Sequence, residues 1–412
     1  MRQAFFGNQA LKQVGRTASA VVCTVFVFLA LPQARAGTAM APSVSAPNPG
    51  VDVVEKSDQQ LPVTFSLNFD SVYDDNIYIR NQNRVGDFYW MINPGVSYVS
   101  GDPQYQPDQL FRLSYKPKIY QFWDETKNNS FDQDLHLDYQ VNLGHLTLGL
   151  AQTYYTDSTP TPDTGGRLKA QYYDTHVFAN YELSPRLTWE NEVTQLISRY
   201  DSSSAIETNA WTASSYLDYA VCPKFNLAVG GTLGYVVLDQ YPDQFYEQFN
   251  LRMKYKATNK INLTARVGGE YRQFEHSNDN SISPVFALGA EFHPGLWTTL
   301  KVDGEGKTLP SISDANQNYR TYGLNVSLRQ QIVPHFFLNL GSGYYHSFYY
   351  NTPSGDSAGF QYDFITVRPA LEWELNPHFT VGAYYQHQTN ISNQDDQSYL
   401  DNQVGIQGGF KY

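Results

Sequence analysis

The side chains with chemical potential in this sequence fall into three groups. The first is acidic and amide-rich. Asp74, Asp75 and Asn76 are consecutive, and Asn393, Asp395 and Asp396 lie close together near the C-terminus. Their oxygens are of the kind Ca²⁺ accepts. Neither segment has EF-hand spacing, and Asx side chains capping turns explain both more simply, so no metal is assigned. The second group is hydrolytic raw material: His346-Ser347, His176 and His387. No nucleophile motif surrounds any serine, so no catalytic residue, cofactor or enzyme activity is expected. The third group is charged and alternates with apolar residues. Its basic members include Arg112, Arg252, Lys254, Arg266, Arg272, Arg329 and Arg368, and its acidic members Asp134, Asp138, Glu190, Glu192 and Glu270. Lining an aqueous passage, charges of both signs order water and sort solutes by charge and size. Paired with one another, they stiffen a wall. Both roles are expected together, because wall charges need solvation or partners.

Period-two strands must position this third group. Leu135, Leu137, Tyr139, Val141 and Leu143 alternate with His136, Asp138, Gln140 and Asn142. Phe249, Leu251, Met253 and Tyr255 alternate with Asn250, Arg252 and Lys254. The pattern holds almost everywhere from Thr64 onward, and an amphipathic helix cannot produce it. At the C-terminus Val404, Ile406, Phe410 and Tyr412 share one side and Gln403, Gln407 and Lys411 the other. Final residues usually fray, so so regular an ending suggests a sheet that has closed.

The turns recur. Ser184-Pro185-Arg186-Leu187, Cys222-Pro223-Lys224-Phe225, His293-Pro294-Gly295-Leu296, Val333-Pro334-His335-Phe336 and Asn376-Pro377-His378-Phe379 share one form. Proline fixes φ at the first corner and needs no ladder partner there. Such turns recur roughly every 35–45 residues. Long polar connections alternate with them, among them Asp74–Asp87, Thr156–Gln171, Gln240–Gln244 and Thr308–Asn318. Tight turns on one side and long loops on the other are the asymmetry of a transmembrane barrel. The expected fold is therefore all-β: an antiparallel transmembrane β-barrel of about 18 strands, with 16–18 compatible, short periplasmic turns and long extracellular loops. A propeller of similar repeat length would have four short strands per repeat.

Composition agrees. The mean hydropathy of −0.46 misses a barrel, because each strand shows lipid only every second residue. The 32 tyrosines and 24 phenylalanines suit interfacial girdles. Arg2, Lys12 and Arg16 precede an apolar run, Ala18–Leu31, too short to span a bilayer as a helix, and Ala34-Arg35-Ala36 suits a signal peptidase. The expected divisions are a cleaved signal over 1–36, a flexible tail over 37–60 and the barrel over 61–412. Cleavage would leave Cys222 alone, without an intrachain disulfide. The formal charge is −12, and removing the leader's four basic residues leaves −16, which argues against a nucleic-acid partner. An acidic exterior suits divalent bridging to lipopolysaccharide, and equally suits plain solubility.

Tyr73-Asp74-Asp75-Asn76-Ile77, followed by Asn93-Pro94-Gly95 on the next strand, resembles the β-barrel porin-2 family. That family includes outer-membrane proteins found near exopolysaccharide-synthesis genes. The resemblance covers about Thr64 to Tyr412. It implies an outer-membrane location and passive or polysaccharide-related transport, and it supplies no catalytic residues. Combined with the strand pattern, it leads to an expected channel for small polar solutes, saccharides among them. The alternative is a structural or glycan-binding barrel with no open pore, with Tyr172-Tyr173, Tyr344-Tyr345 and Tyr349-Tyr350 available to stack on sugars or to form girdles. Expected partners are outer-membrane lipid and lipopolysaccharide, with polysaccharide or small solutes. Basic residues gather from Arg252 to Arg329 while acids precede them, which suggests a lumen with a basic and an acidic side. Arg252, Arg266 and Arg329 on one arc would then set ion preference.

Overall fold

The computed structural model describes residues 62–101, 108–163, 166–203, 205–239, 241–275, 280–312, 317–351 and 359–412. The segments read as a signal and a tail lie outside the described residues. Within them the chain is all-β, apart from single 3₁₀ turns at Thr126–Asn128 and Asp395–Gln397.

Eighteen strands form the wall. The first nine are β1 (Val63–Asp74), β2 (Asp87–Ser100), β3 (Gln109–Tyr115 with Lys118–Phe122), β4 (Ser130–Asp132 with Asp134–Leu143), β5 (Leu146–Asp157), β6 (Ala170–Ser184), β7 (Leu187–Tyr200), β8 (Thr208–Cys222) and β9 (Phe225–Leu238). The rest are β10 (Tyr241–Thr258), β11 (Ile261–Phe274), β12 (Asn280–Gly295), β13 (Thr298–Pro310), β14 (Gln317–Val333), β15 (Phe336–Asn351), β16 (Gln361–Asn376), β17 (Phe379–Ser392) and β18 (Tyr399–Lys411). β3 is interrupted at Pro117, which has no N–H for the ladder. Asn93 mends the gap: its Nδ2 donates to the carbonyls of Lys116 and Pro117, at 2.9 and 2.7 Å.

Each strand pairs antiparallel with its neighbours in sequence, and β1 pairs with β18 from Ser66↔Lys411 to Asp74↔Gln403. The ring is therefore a closed transmembrane barrel without an edge. At the seam Phe65 and Tyr412 exchange backbone hydrogen bonds of 2.8 and 2.9 Å.

The tight turns sit at one end. Pro185-Arg186, Pro223-Lys224, Pro334-His335 and Pro377-His378 each join two strands. A bulge precedes each of these turns, as where the pairing shifts between Ala220 and Cys222. The extra residue bends the strand and increases its twist into the turn. Two sequence expectations need correcting. Pro294 is not a turn corner: it lies within β12, and Leu296-Trp297 make the turn before β13. Gln240–Gln244 is not a long loop: Leu238 pairs with Tyr241, so β9 and β10 run on into a tight hairpin.

The wall has two chemically distinct faces. Phe65, Leu67 and Phe69 of β1, Leu227 and Val229 of β9, and Leu251 of β10 point outward and are exposed. The residues between them point inward, and many are polar and buried, among them Asn250, Thr366 and Gln388. Apolar groups on the open face and polar groups inside invert a water-soluble sheet protein, and this is what a lipid surround demands.

Candidate functional site

The inner wall carries the charges, and the structure shows how they are held. On β7, β8 and β10 the Arg252 guanidinium is ion-paired with Glu190 and lies 3.6 Å from the Tyr216 ring centroid. Lys254 bridges Glu190 and Asp218, 3.6 Å from each. On β14 and β16, Arg329 bridges Glu372 and Glu374 at 3.1 Å each. On β11, Arg272 Nε donates to Glu270 at 2.9 Å and Nη1 to Gln244 at 2.7 Å. Arg368 packs 3.9 Å from the Tyr384 ring centroid and reaches Gln407 at 3.3 Å. On β3 and β4, Arg112 lies 3.6 Å from Asp138. Asp134 shares the inward parity of Asp138 on β4, and His136 between them bonds Asp138 at 2.6 Å. Glu192 meets His176 at 2.9 Å. Arg266 stands directly across from Arg252 on the neighbouring strand.

This arrangement corrects the expected division into a basic and an acidic side. The acids of β7 and β8 pair with Arg252 and Lys254 of β10 on the same arc, so both signs of charge share one stretch of wall. Residues two positions apart on a strand, or opposite on adjacent strands, share a face and reach each other's charges. A barrel wall therefore pairs charges over distances that chain order hides. Burial separates the members. Glu190, Glu270, Arg272 and Glu372 are almost wholly enclosed, whereas Lys254, Arg112, Glu374 and Lys301 keep a third or more of their side chains open to solvent. Lys254, Lys301 and Glu374 are near the tight-turn end, where the lumen is wet.

The long-loop half is different. The loop between β5 and β6 carries a small hairpin, Pro160–Thr161 with Gly166–Arg167. Its Asp163 is bound on the far side of the ring. Oδ2 accepts from Ile312 N at 2.8 Å, and Oδ1 accepts from Ser311 Oγ at 3.2 Å and from the Tyr349 hydroxyl of β15. Arg167 of the same hairpin donates through Nε to the carbonyl of Ile77 in the first long loop at 2.8 Å, and lies 4.8 Å from the Phe122 ring centroid. Between these straps lies an apolar cluster of Ile79, Leu309, Tyr319, Tyr349, Tyr362, Phe364 and Tyr399. Tyr319 and Tyr349 stack at 4.8 Å, and on another wall Tyr155 and Tyr172 stack at 4.7 Å. Two inward loops and inward-facing tyrosines thus occupy part of the long-loop end of the lumen. An 18-strand ring is otherwise wide enough for water.

The Tyr73-Asp74-Asp75-Asn76 segment sits at the seam. Asp74 caps the end of β1 by accepting Asn76 N at 2.7 Å, the expected Asx turn. Asn76 is fully buried. Its Nδ2 donates to the carbonyls of Arg80 and Leu400, both at 2.9 Å, and its Oδ1 accepts Arg80 N at 3.0 Å. Asp75 accepts the backbone N–H and side-chain Nδ2 of Asn402, at 2.8 and 2.7 Å. Tyr73 points outward. The segment joins the first loop to the last strand. Asp395 and Asp396, by contrast, are exposed on a 3₁₀ turn.

The hydrolytic raw material is scattered. Ser347 is buried on the inner face and bonds Thr321 at 3.1 Å. His346 points outward to Asp363 at 2.9 Å, and His387 bonds Asn402 at 2.8 Å. Adjacent residues on a strand face opposite ways, so His346 cannot serve Ser347. The tyrosine pairs divide likewise: Tyr173 and Tyr344 face out, and Tyr172, Tyr345 and Tyr349 face in.

No family model matches the chain, and no curated protein matches it. Solved structures resemble it at low sequence identity. The OccK2 (OpdF) structure of Pseudomonas aeruginosa, solved in complex with glucuronate, has a TM-score of 0.47 at 11% identity, over 85% of this chain and 98% of that one. Acinetobacter baumannii OccAB4 has 0.46 at 10%, over 86% and 99%. The siderophore receptor PirA of P. aeruginosa has 0.43 at 10%, over 86% and 81%. Likenesses this distant carry no argument on function, and the barrel stands on this chain's own strand pairing.

Proposed function

We propose that the protein is an outer-membrane, porin-like channel for small polar solutes, narrowed on its outer side by inward loops. One observation carries this reading: a closed ring of eighteen strands presents apolar side chains outward and a solvated wall bearing both signs of charge inward near its tight-turn end. Neither lipid anchoring nor wall stiffness requires Lys254, Arg112 and Lys301 to stay open to solvent inside the ring. The leader over 1–36 would export the chain and the 37–60 segment would lie in the periplasm. The pore-lining residues named from the sequence are proposed to line the path, with the buried ion pairs as its frame and the half-exposed members as its solute-facing surface. Saccharides are the proposed solute class, and membership of the β-barrel porin-2 family, with its exopolysaccharide link, is proposed on the Tyr73-Asp74-Asp75-Asn76 segment. No catalytic role is proposed.

A second reading is favoured by the inward-facing tyrosines at the long-loop end: a structural or glycan-binding barrel that does not conduct. Single-channel recording of the purified full chain in planar bilayers, with liposome swelling in neutral and acidic monosaccharides, separates the two. Stable conductance steps and sugar-dependent swelling support the channel. Silence in both assays, with the protein shown to be folded and inserted, overturns it.

A further inference from the structure

We propose that Asp74, Asp75 and Asp401 bind one divalent cation of the Ca²⁺ class, which clasps the first long loop to the last strand at the barrel's seam. Asp74 ends β1, Asp75 begins the first long loop and Asp401 lies in β18. One carboxylate oxygen from each lies within 4.8 Å of the other two. Oxygens bound to a shared Ca²⁺ at about 2.4 Å stand about 3.4–4.8 Å from one another. Asp74 and Asp401 are 4% and 1% exposed, whereas Asp75 is only half-buried. Two ligands are therefore enclosed in the wall, and the third is partly open to solvent.

The hydrogen bonds around the cluster do not neutralise it. Asp74 accepts from Asn76 N and from Gln403 Nε2, at 2.7 and 3.1 Å. Asp75 accepts twice from Asn402. Asp401 Oδ2 accepts from Gln403 Nε2 at 3.0 Å. All these donors are neutral. Among the described residues, none of the three carboxylates makes an ion pair. The charge of Arg167 acts on Asp74, but its Nε and Nη1 donate to the carbonyls of Ile77 and Ser158.

An independent observation points to a ligand. Asp401 Oδ1 is buried and no N–H or O–H group donates to it, while the Asp401 carboxyl lies within hydrogen-bonding reach of the Asp74 carboxyl. Buried carboxylate oxygens in native proteins are nearly always satisfied, and this one sits beside a second buried carboxylate. Like charges this close cannot all persist without a cation or a proton. A cation satisfies the bare oxygen and binds both sequence ends of the ring at once. Because the unfolded chain does not assemble the three ligands, binding stabilises the closed barrel. The clasp does not depend on whether the lumen conducts.

The test uses the full chain in detergent, washed with chelator and titrated with CaCl₂, and in a second arm MgCl₂, by calorimetry and by Tb³⁺ luminescence. The expected result is one saturable Ca²⁺ event and an unfolding midpoint that rises with Ca²⁺. Asp401→Asn keeps the shape and removes the charge. It should weaken binding about tenfold or more and abolish the Ca²⁺-dependent shift. Asp75→Asn, at the half-exposed position, should do the same and decides the question if Asp401→Asn fails to fold. The exposed Asp395→Asn should leave binding unchanged. Absence of saturable binding in the parent chain, or binding that both variants retain, overturns the proposal. So does a parent indifferent to Ca²⁺ in which Asp401→Asn raises the unfolding midpoint, the signature of a shared proton.

Discussion

The Tyr349 hydroxyl donates to Oδ1 of Asp163, although the loop that carries Asp163 springs from the opposite wall of the ring. Ser311 Oγ and Ile312 N bind the same carboxylate, so one side chain moors the loop between β5 and β6 across the lumen. Asp163→Ala removes the mooring and leaves buried donors without an acceptor, at a cost of about 1–3 kcal/mol. The ring's strand pairing does not involve Asp163 and should survive. The expected outcome is a folded, heat-modifiable barrel with larger and noisier conductance steps than the parent. Unchanged conductance in a folded variant would show that the loop does not limit the path.

Glu190 is the buried partner of Arg252 and also receives Lys254. Glu190→Gln leaves the Arg252 guanidinium enclosed without its counter-charge, which costs about 3–5 kcal/mol. Lys254→Gln removes a partly solvated member of the same group and should cost less than about 1 kcal/mol. Urea unfolding of the two variants checks the ranking. The same geometry changes the outlook for neutralising Arg252, Arg266 and Arg329 together. Arg252 and Arg329 balance buried acids, so the triple variant should lose stability. A shift of reversal potential toward cations is expected instead from neutralising the solvated Lys254, Lys301 and Arg112.

The barrel was legible in the sequence because its physical cause is local. Lipid outside and water inside impose period two on every strand, and a turn with proline at its corner needs only two residues. Parity followed directly: Leu251 outward and Arg252 inward could be read from alternation alone. The ion pairs were not legible, because Glu190 and Arg252 are far apart in sequence and meet only after β8 and β9 have been laid between them. Nor was the lumen-crossing loop. Asp163 lies in a polar, proline-containing stretch that resembles any other loop, and its partners come from β15 and from the chain after β13. One signal was available: Tyr319, Tyr349, Tyr362 and Tyr399 fall on the inward parity of their strands near the long-loop end, where girdle tyrosines would face outward. The turn at Leu296-Trp297 was missed because Pro294 mimics the corner proline of the other turns.

Glu125 lies in a loop outside the spanning strands and accepts from the Tyr78 hydroxyl at 2.7 Å, joining the first two long loops. The Tyr78 hydrogen bond, followed by that of Lys127, lowers its pKa below the ordinary 4.5. A depressed carboxylate supports the folded loops above its unfolded pKa and loses that support as pH falls through its folded pKa. The contact should therefore persist at pH 4.5 and open only below it. A carboxyl ¹³C titration of the labelled chain, compared with Tyr78→Phe, checks this. The Glu125 midpoint should lie below 4.5 in the parent and move up in the variant.

Leu251 and Lys254 lie on the same strand but face opposite solvents. Leu251 is outward and 45% exposed near mid-strand, while Lys254 is inward. An arginine at Leu251 would put a charge against the hydrocarbon, at a cost of about 2–4 kcal/mol near the midplane. Lys254→Gln keeps a polar group facing the lumen, where water can solvate it. Refolding titrations in lipid vesicles should therefore separate the two strongly, and titrations in detergent, which wraps the barrel more loosely, should separate them less. Equal sensitivity in vesicles would mean that the apolar face does not meet lipid, and the transmembrane assignment would fall with it.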